Sequence, residues 1–225
     1  LPLLGDILRI GFPAGLQSVM YAVSNVFIQT NINAFGTDVV AGWTAYGKID
    51  SLFWMIMDAV GISITTFTGQ NIGARKLDRV GPGLKAGGTF SVGLGIVFMM
   101  IYLPLANRII SLFLPAGSAS GVVDVARGYL FTVVPFYVVV CIKFVCDSVL
   151  RGAGAMRPFM ITTFSDLILR VVLALTLSKT ALATTGIWLS WPIGWVIGMA
   201  LSLAFYFTAK WRKAEVPPEK DENWV

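Results

Sequence analysis

The stretch Thr65-Thr66-Phe67-Thr68-Gly69-Gln70-Asn71-Ile72-Gly73-Ala74-Arg75-Lys76-Leu77-Asp78-Arg79 carries the decision about fold. It closes a long apolar segment, turns on Gly69 and Gly73, and then presents the cations Arg75, Lys76 and Arg79. Two readings compete. One is an ordinary helix end, with Asn and Gly at the C-cap and a solvated basic turn behind it. The other is the point where a membrane-spanning helix leaves the lipid. The rest of the chain chooses between them.

Composition favours the membrane. The chain is 56% hydrophobic and 13% charged, with mean hydropathy +0.76, whereas a soluble domain carries about 25% charged residues. Its 23 Gly and 8 Met suit helices that pack closely in lipid around adaptable pockets. The net charge of +5 does not point to nucleic acid, because the cations lie in short clusters between apolar runs rather than on a solvated face. There is no His, and Cys141 and Cys146 are the only cysteines. No catalytic His arrangement and no His/Cys metal site can be built from that inventory, so no catalytic residue, metal or cofactor is expected. The two cysteines read as small packing residues. The chain begins at Leu1 without a signal-peptide layout, and the expectation is a fragment of a longer protein or a half-size chain.

Six apolar segments are long enough to cross a hydrocarbon core of about 30 Å, which takes about 20 helical residues. The expectation is an all-α membrane protein: a six-transmembrane-helix bundle over residues 1–213, with helices at about 7–35, 42–70, 84–106, 122–149, 158–178 and 185–209. Barrel strands are excluded because the segments lack alternation. A short interfacial helix is expected around Ile109–Leu114, followed by a turn at Pro115 to Ser118, and 214–225 reads as a polar cytoplasmic tail. In a six-crossing arrangement eleven loop cations, among them Arg9, Arg75, Arg151 and Lys210, fall on one side, and three (Arg108, Arg127, Lys179) fall on the other. By the positive-inside rule both termini are cytoplasmic, and a bacterial plasma membrane is the expected location.

Polar residues inside such helices are the site candidates. Ser18, Tyr21, Asn25, Gln29 and Asn33 step by three and four along one face of the first helix. They would either hydrogen-bond neighbouring helices or wall a water-filled cavity; Pro13 is expected to cost little near the helix start. On the second helix Tyr46, Asp50 and Trp54 share a face, and Lys48, Ser51 and Asp58 lie toward another. Tyr21, Asn25, Gln29, Tyr46 and Trp54 are the substrate-cavity candidates. Asp50 and Asp58 are the ion-coupling candidates, because an intramembrane carboxylate without a partner could take up and release a cation or proton. Lys48 is the nearest local counter-ion. Lys143 with Asp147, and Asp166 with Arg170, are i,i+4 pairs that read as structural, the first close enough to the interface to snorkel. Gly69, Gln70, Asn71 and Gly73 read as a cytoplasmic hinge.

Several segments together resemble a known family. Gly11-Phe12-Pro13-Ala14-Gly15-Leu16-Gln17, Asn33-Ala34-Phe35-Gly36, Tyr46-Gly47-Lys48-Ile49-Asp50-Ser51, the Gly69–Arg75 loop, Leu150-Arg151-Gly152-Ala153-Gly154 and Leu169-Arg170-Val171 occur in order and at the right spacing. They are similar to the C-terminal lobe of multidrug and toxic compound extrusion (MATE) transporters. The resemblance implies one lobe of a 12-helix protein that exports cationic or amphipathic small molecules in exchange for Na⁺ or H⁺. The implied partners are the substrate, membrane lipid, and an N-terminal six-helix lobe or a second half-length chain. Two positions depart from the pattern: Met20-Tyr21-Ala22 stands where some members carry a glutamate, and Ala155 where many carry Asp. The alternatives are a lipid-linked oligosaccharide flippase of the same superfamily and a structural or nonfunctional half-length membrane subunit.

Overall fold

The computed structural model describes residues 2–114 and 118–208. Eight α-helices follow in chain order: α1 (Pro2–Asn33), α2 (Thr37–Gly73), α3 (Val80–Tyr102), α4 (Ala106–Phe113), α5 (Ser120–Val133), α6 (Tyr137–Gly152), α7 (Met156–Leu177) and α8 (Ala183–Phe207). Short 3₁₀ turns at Leu77–Arg79 and Val134–Phe136 lead into α3 and α6.

Prolines set two boundaries that apolarity alone misplaces. The third segment ends at Tyr102, not near 106, because Pro104 disfavours helix in the residue before it. The fourth is broken at Pro135, which cannot donate within a helix, so α5 and α6 meet through a 3₁₀ turn. Pro13 also differs from expectation. α1 starts at Pro2, so this proline sits well inside the helix rather than near its first turn. The expected interfacial helix is α4, displaced a few residues toward the N-terminus, with Ala106 and Ile110 turned into the bundle and Leu112 outward. The Pro115 turn and the 214–225 tail lie outside the described residues.

Among the described residues, five helical stretches are long and apolar enough to cross a membrane: 37–73, 77–102, 120–152, 156–177 and 183–207. The first segment is not among them. α1 has the length, but Gln17, Ser18, Ser24, Asn25, Gln29, Thr30, Asn31 and Asn33 dilute its apolar run. Large apolar side chains such as Phe12, Met55, Phe90, Met100 and Ile168 stay exposed on the outside of the bundle, where lipid rather than water is the compatible neighbour. The chain is an integral membrane protein.

α2 packs on α3, α5 and α6, and α6 in turn on α3 and α8. α7 and α8 form the most extensive pair, and α1 attaches mainly to α7. The core holds Tyr46, Ile49, Phe53 and Met57 of α2 against Tyr129, Tyr137 and Cys141. Stacked and edge-on rings run through it, including Phe53 on Tyr137 at 3.9 Å and Trp43 on Trp188 at 5.6 Å. At one end, α2 and α6 touch backbone to backbone: a Cβ at Gly152 would collide with Thr65 O, and one at Gly69 would lie 3.3 Å from Gly152 O.

The two helix ends there close in the same way with different residues. Gly154 takes the left-handed conformation (φ +69°), with Ala155 N–H donating to Leu150 O and Gly154 N–H to Arg151 O. After α2 the equivalent residue is Arg75 (φ +60°), flanked by Lys76 N–H to Asn71 O and Arg75 N–H to Ile72 O. Both are Schellman closures. Gly69, Gln70, Asn71 and Gly73 are therefore the last turns of α2 and not the turn itself, which reads Ala74-Arg75-Lys76. The spacing pointed to glycine at the cap, but here a non-glycine accepts the left-handed strain.

Candidate functional site

Between α1, α2, α5, α6, α7 and α8 lies a cavity of about 650 Å³. Its longest wall is one stripe of α2 at steps of four: Tyr46, Asp50, Trp54, Asp58 and Ile62. Asp58 lines the same cavity as Asp50 while keeping to the Ser51 side of α2, because each i,i+4 step turns about 40° and i,i+7 residues nearly eclipse. Of the α1 candidates, Tyr21 and Asn25 line the cavity. Gln29 does not: it accepts from Trp43 Nε1 at 3.0 Å and donates to Asn33 Oδ1 at 2.8 Å, tying α1 to α2. Asn31, which the stripe omitted, ties α1 to α7 through Ala174 O at 3.0 Å and Ser178 Oγ at 3.1 Å. On α1 the two readings, interhelical bonding and cavity wall, thus divide between different residues.

Asp50 is held by neutral donors. Trp54 Nε1–H donates to Oδ2 at 2.7 Å, and the Tyr137 hydroxyl donates to Oδ1. The Tyr46 hydroxyl stands 3.5 Å from that of Tyr137. Among the described residues no Lys or Arg pairs with Asp50. Lys48, two residues away, is exposed and turned elsewhere. Asp58 is more open than Asp50, and Arg151 lines the same cavity. Arg151 itself donates to Thr65 Oγ1 at 3.2 Å and lies over the Phe159 ring.

A second charged group faces the same cavity. Lys143 Nζ donates to Asp147 Oδ2 at 2.8 Å and lies 3.6 Å from Asp166 Oδ2, which Arg170 Nη2 reaches at 3.3 Å. The two i,i+4 pairs are joined into one chain of alternating charge across α6 and α7. Their side chains are 2–8% exposed, so Lys143 and Asp147 do not snorkel outward; they are held between helices, with Lys143 at the cavity wall. Asp147 Oδ1 accepts from Thr162 Oγ1 at 3.0 Å and from Ser202 Oγ at 2.6 Å. Arg170 also lies over Trp191 at 5.2 Å and Tyr21 at 6.0 Å.

Trp43, Tyr129, Trp191 and Trp195 complete the aromatic lining. The last two belong to a Trp188, Trp191, Trp195 stripe at spacings of three and four, a signal legible in the sequence but left unused. Aromatic faces around one uncompensated carboxylate form a concave site able to take a flat or amphipathic cation.

The model of the MatE family matches residues 13–176 of the chain. The chain belongs to the MATE family. It is 24% identical over 212 residues to the probable multidrug resistance protein YoeA of Bacillus subtilis (strain 168), covering 93% of this chain and 45% of that protein. It is 26% identical to YpnP of the same organism, covering 95% and 47%. Among solved structures, an outward-facing multidrug resistance MATE transporter of the MOP superfamily superposes with a TM-score of 0.85 at 20% identity, over 94% of this chain and 48% of that one. A MOP superfamily transporter from Pyrococcus furiosus Vc1 (DSM3638) superposes with a TM-score of 0.82 at 17% identity, over 95% and 48%. This MATE chain spans about half the length of the relatives it matches.

Proposed function

We propose that this MATE chain is the C-terminal six-helix lobe of a secondary antiporter that exports cationic or amphipathic small molecules in exchange for Na⁺ or H⁺. The observation that carries the reading is Asp50. It is a carboxylate on a membrane-spanning helix, facing a cavity of about 650 Å³ walled by Tyr and Trp rings, and held only by neutral donors. Its countercharge has to come from outside the bundle, and a cationic substrate and a coupling ion can supply it in turn. Asp58 is the second coupling candidate, farther along the same stripe. In this reading α1 is the sixth span, tolerating its polar face because that face meets α7, α2 and the cavity. The asymmetry of the loop cations supports cytoplasmic termini, in a membrane that this reading takes to be the bacterial plasma membrane. A partner lobe or second half-length chain would complete the cavity wall, as alternating access by rocking of two bundles requires. The closures at Arg75 and Gly154 are where that motion would be absorbed.

The test is transport by the full-length protein in proteoliposomes. An imposed Na⁺ or H⁺ gradient should drive movement of a fluorescent aromatic cation. Absence of gradient-dependent flux for a panel of such dyes overturns the reading.

A further inference from the structure

The buried charges of α6 and α7 are arranged around one ammonium group. Lys143 Nζ sits between carboxylates of two helices, 2.8 Å from Asp147 Oδ2 and 3.6 Å from Asp166 Oδ2. The far oxygen of Asp147 is fixed by the Thr162 and Ser202 hydroxyls. Asp166, 1% exposed, keeps Oδ1 without a hydrogen-bond partner, so one buried oxygen donor is unused. α8 is shaped to let the lysine stem in. A Cβ at Gly198 would collide with Lys143 Cε, and one at Gly194 with Asp166 Oδ1.

We propose that this is an oxygen-lined pocket for a monovalent cation, permanently filled by the tethered ammonium of Lys143, and that vacating it makes a Na⁺ site. The charge balance supports this. Asp147 and Asp166 are offset by Lys143 and Arg170, so removal of Lys143 leaves an excess of one buried negative charge, which is costly unless a cation replaces it. The oxygens facing the ammonium are those of two carboxylates, which suit a hard cation. Among the described residues no group of three or more acidic, His or Cys side chains gathers at one point, so a divalent ion would be under-neutralised. Lys143 and Asp166 both reach the cavity, which provides an entry path. The consequence for the native protein is a division of labour. The α6–α7 carboxylates are closed to inorganic ions by their own lysine, and any exchangeable cation goes elsewhere on the wall.

The experiment uses the purified full-length protein. Radiolabelled Na⁺ binding and the thermal unfolding midpoint are measured in NaCl against equimolar choline chloride for the native protein, K143A, K143R, D166N and the double variant K143A/D166N. K143A should bind about one more Na⁺ per chain than the native protein and be stabilised by it. K143R, still filled, and K143A/D166N, missing a ligand, should show no such gain. A folded K143A without extra Na⁺, or a gain that survives in K143A/D166N, overturns the proposal. So does native Na⁺ binding that D166N abolishes, because the ion would then already share the pocket. If K143A folds in neither salt, Gly198→Ala decides, since its methyl displaces the lysine stem: a gain in Na⁺ binding supports the proposal and an unchanged value overturns it.

Discussion

Asp50 and Asp166 are carboxylates of the same bundle, they face the same cavity, and their partners are opposite in kind. Asp50 is held by an indole N–H and a phenol O–H; Asp166 is held by an ammonium and a guanidinium. Neutral donors orient a carboxylate and leave its charge standing. Cationic partners cancel the charge and lock the helices that carry them. The first arrangement is suited to exchange with something outside the chain, the second to holding α6, α7 and α8 together. A buried acid in a membrane helix is thus not a functional assignment by itself; the charge of what touches it separates a site from a strut.

That contrast can be broken by mutation. The largest expected loss of stability is from Asp166→Ala, which leaves Lys143 and Arg170 buried with one countercharge too few. About 3–5 kcal/mol should be lost, seen as a collapse of the monodisperse fraction and of the unfolding midpoint. A midpoint close to native would place Asp166 with the exchangeable acids. Gly198→Ala should cost about 1–3 kcal/mol through overpacking against Lys143, read in the same melt. Tyr137→Phe removes one donor from Asp50 and should cost about 1 kcal/mol, with transport affected more than folding. Asp50→Asn keeps the side-chain shape and removes the charge, with the amide oxygen left to accept from Trp54 and the amide NH2 to donate to the Tyr137 hydroxyl. It should leave the melt within about 1 kcal/mol of native while cutting gradient-driven flux about tenfold, equivalent to about 1.4 kcal/mol; intact flux would remove Asp50 from the coupling role. The smallest effect is expected for Asp58→Asn, on the open part of the wall. Flux should fall with insertion unchanged, and no fall at all strikes Asp58 from the site.

Much of the α2 wall was legible from residue spacing, because Tyr46, Asp50 and Trp54 repeat at one helical face. Asp58 was read on the side of Lys48 and Ser51, and the structure adds that it still reaches the cavity. The partners of Asp50 were not legible. Tyr137 lies 87 residues away, and no local period links it to α2. The same holds for Lys143 and Asp166, each visible in an i,i+4 pair of its own, yet joined only where α6 and α7 cross. Gln29 shows the reverse error. Its spacing put it on the cavity face, but an indole on α2 captured it first. The cap after α2 was misread because Gly73 looked like the required residue, and the hydrogen bonds put Arg75 there instead.

By itself the sequence determined that this chain lives in a membrane as helices, because lipid accepts no unpaired backbone and apolar runs of this length have no other solution. It also determined the family, through short motifs kept in order, whereas the helix breaks at Pro104 and Pro135 came only with the structure. Only the tertiary structure decided which intramembrane charges cancel one another and which stand alone. Neutralisation in a low-dielectric interior acts over a few ångströms between side chains, and the chain distance between those side chains says nothing about it.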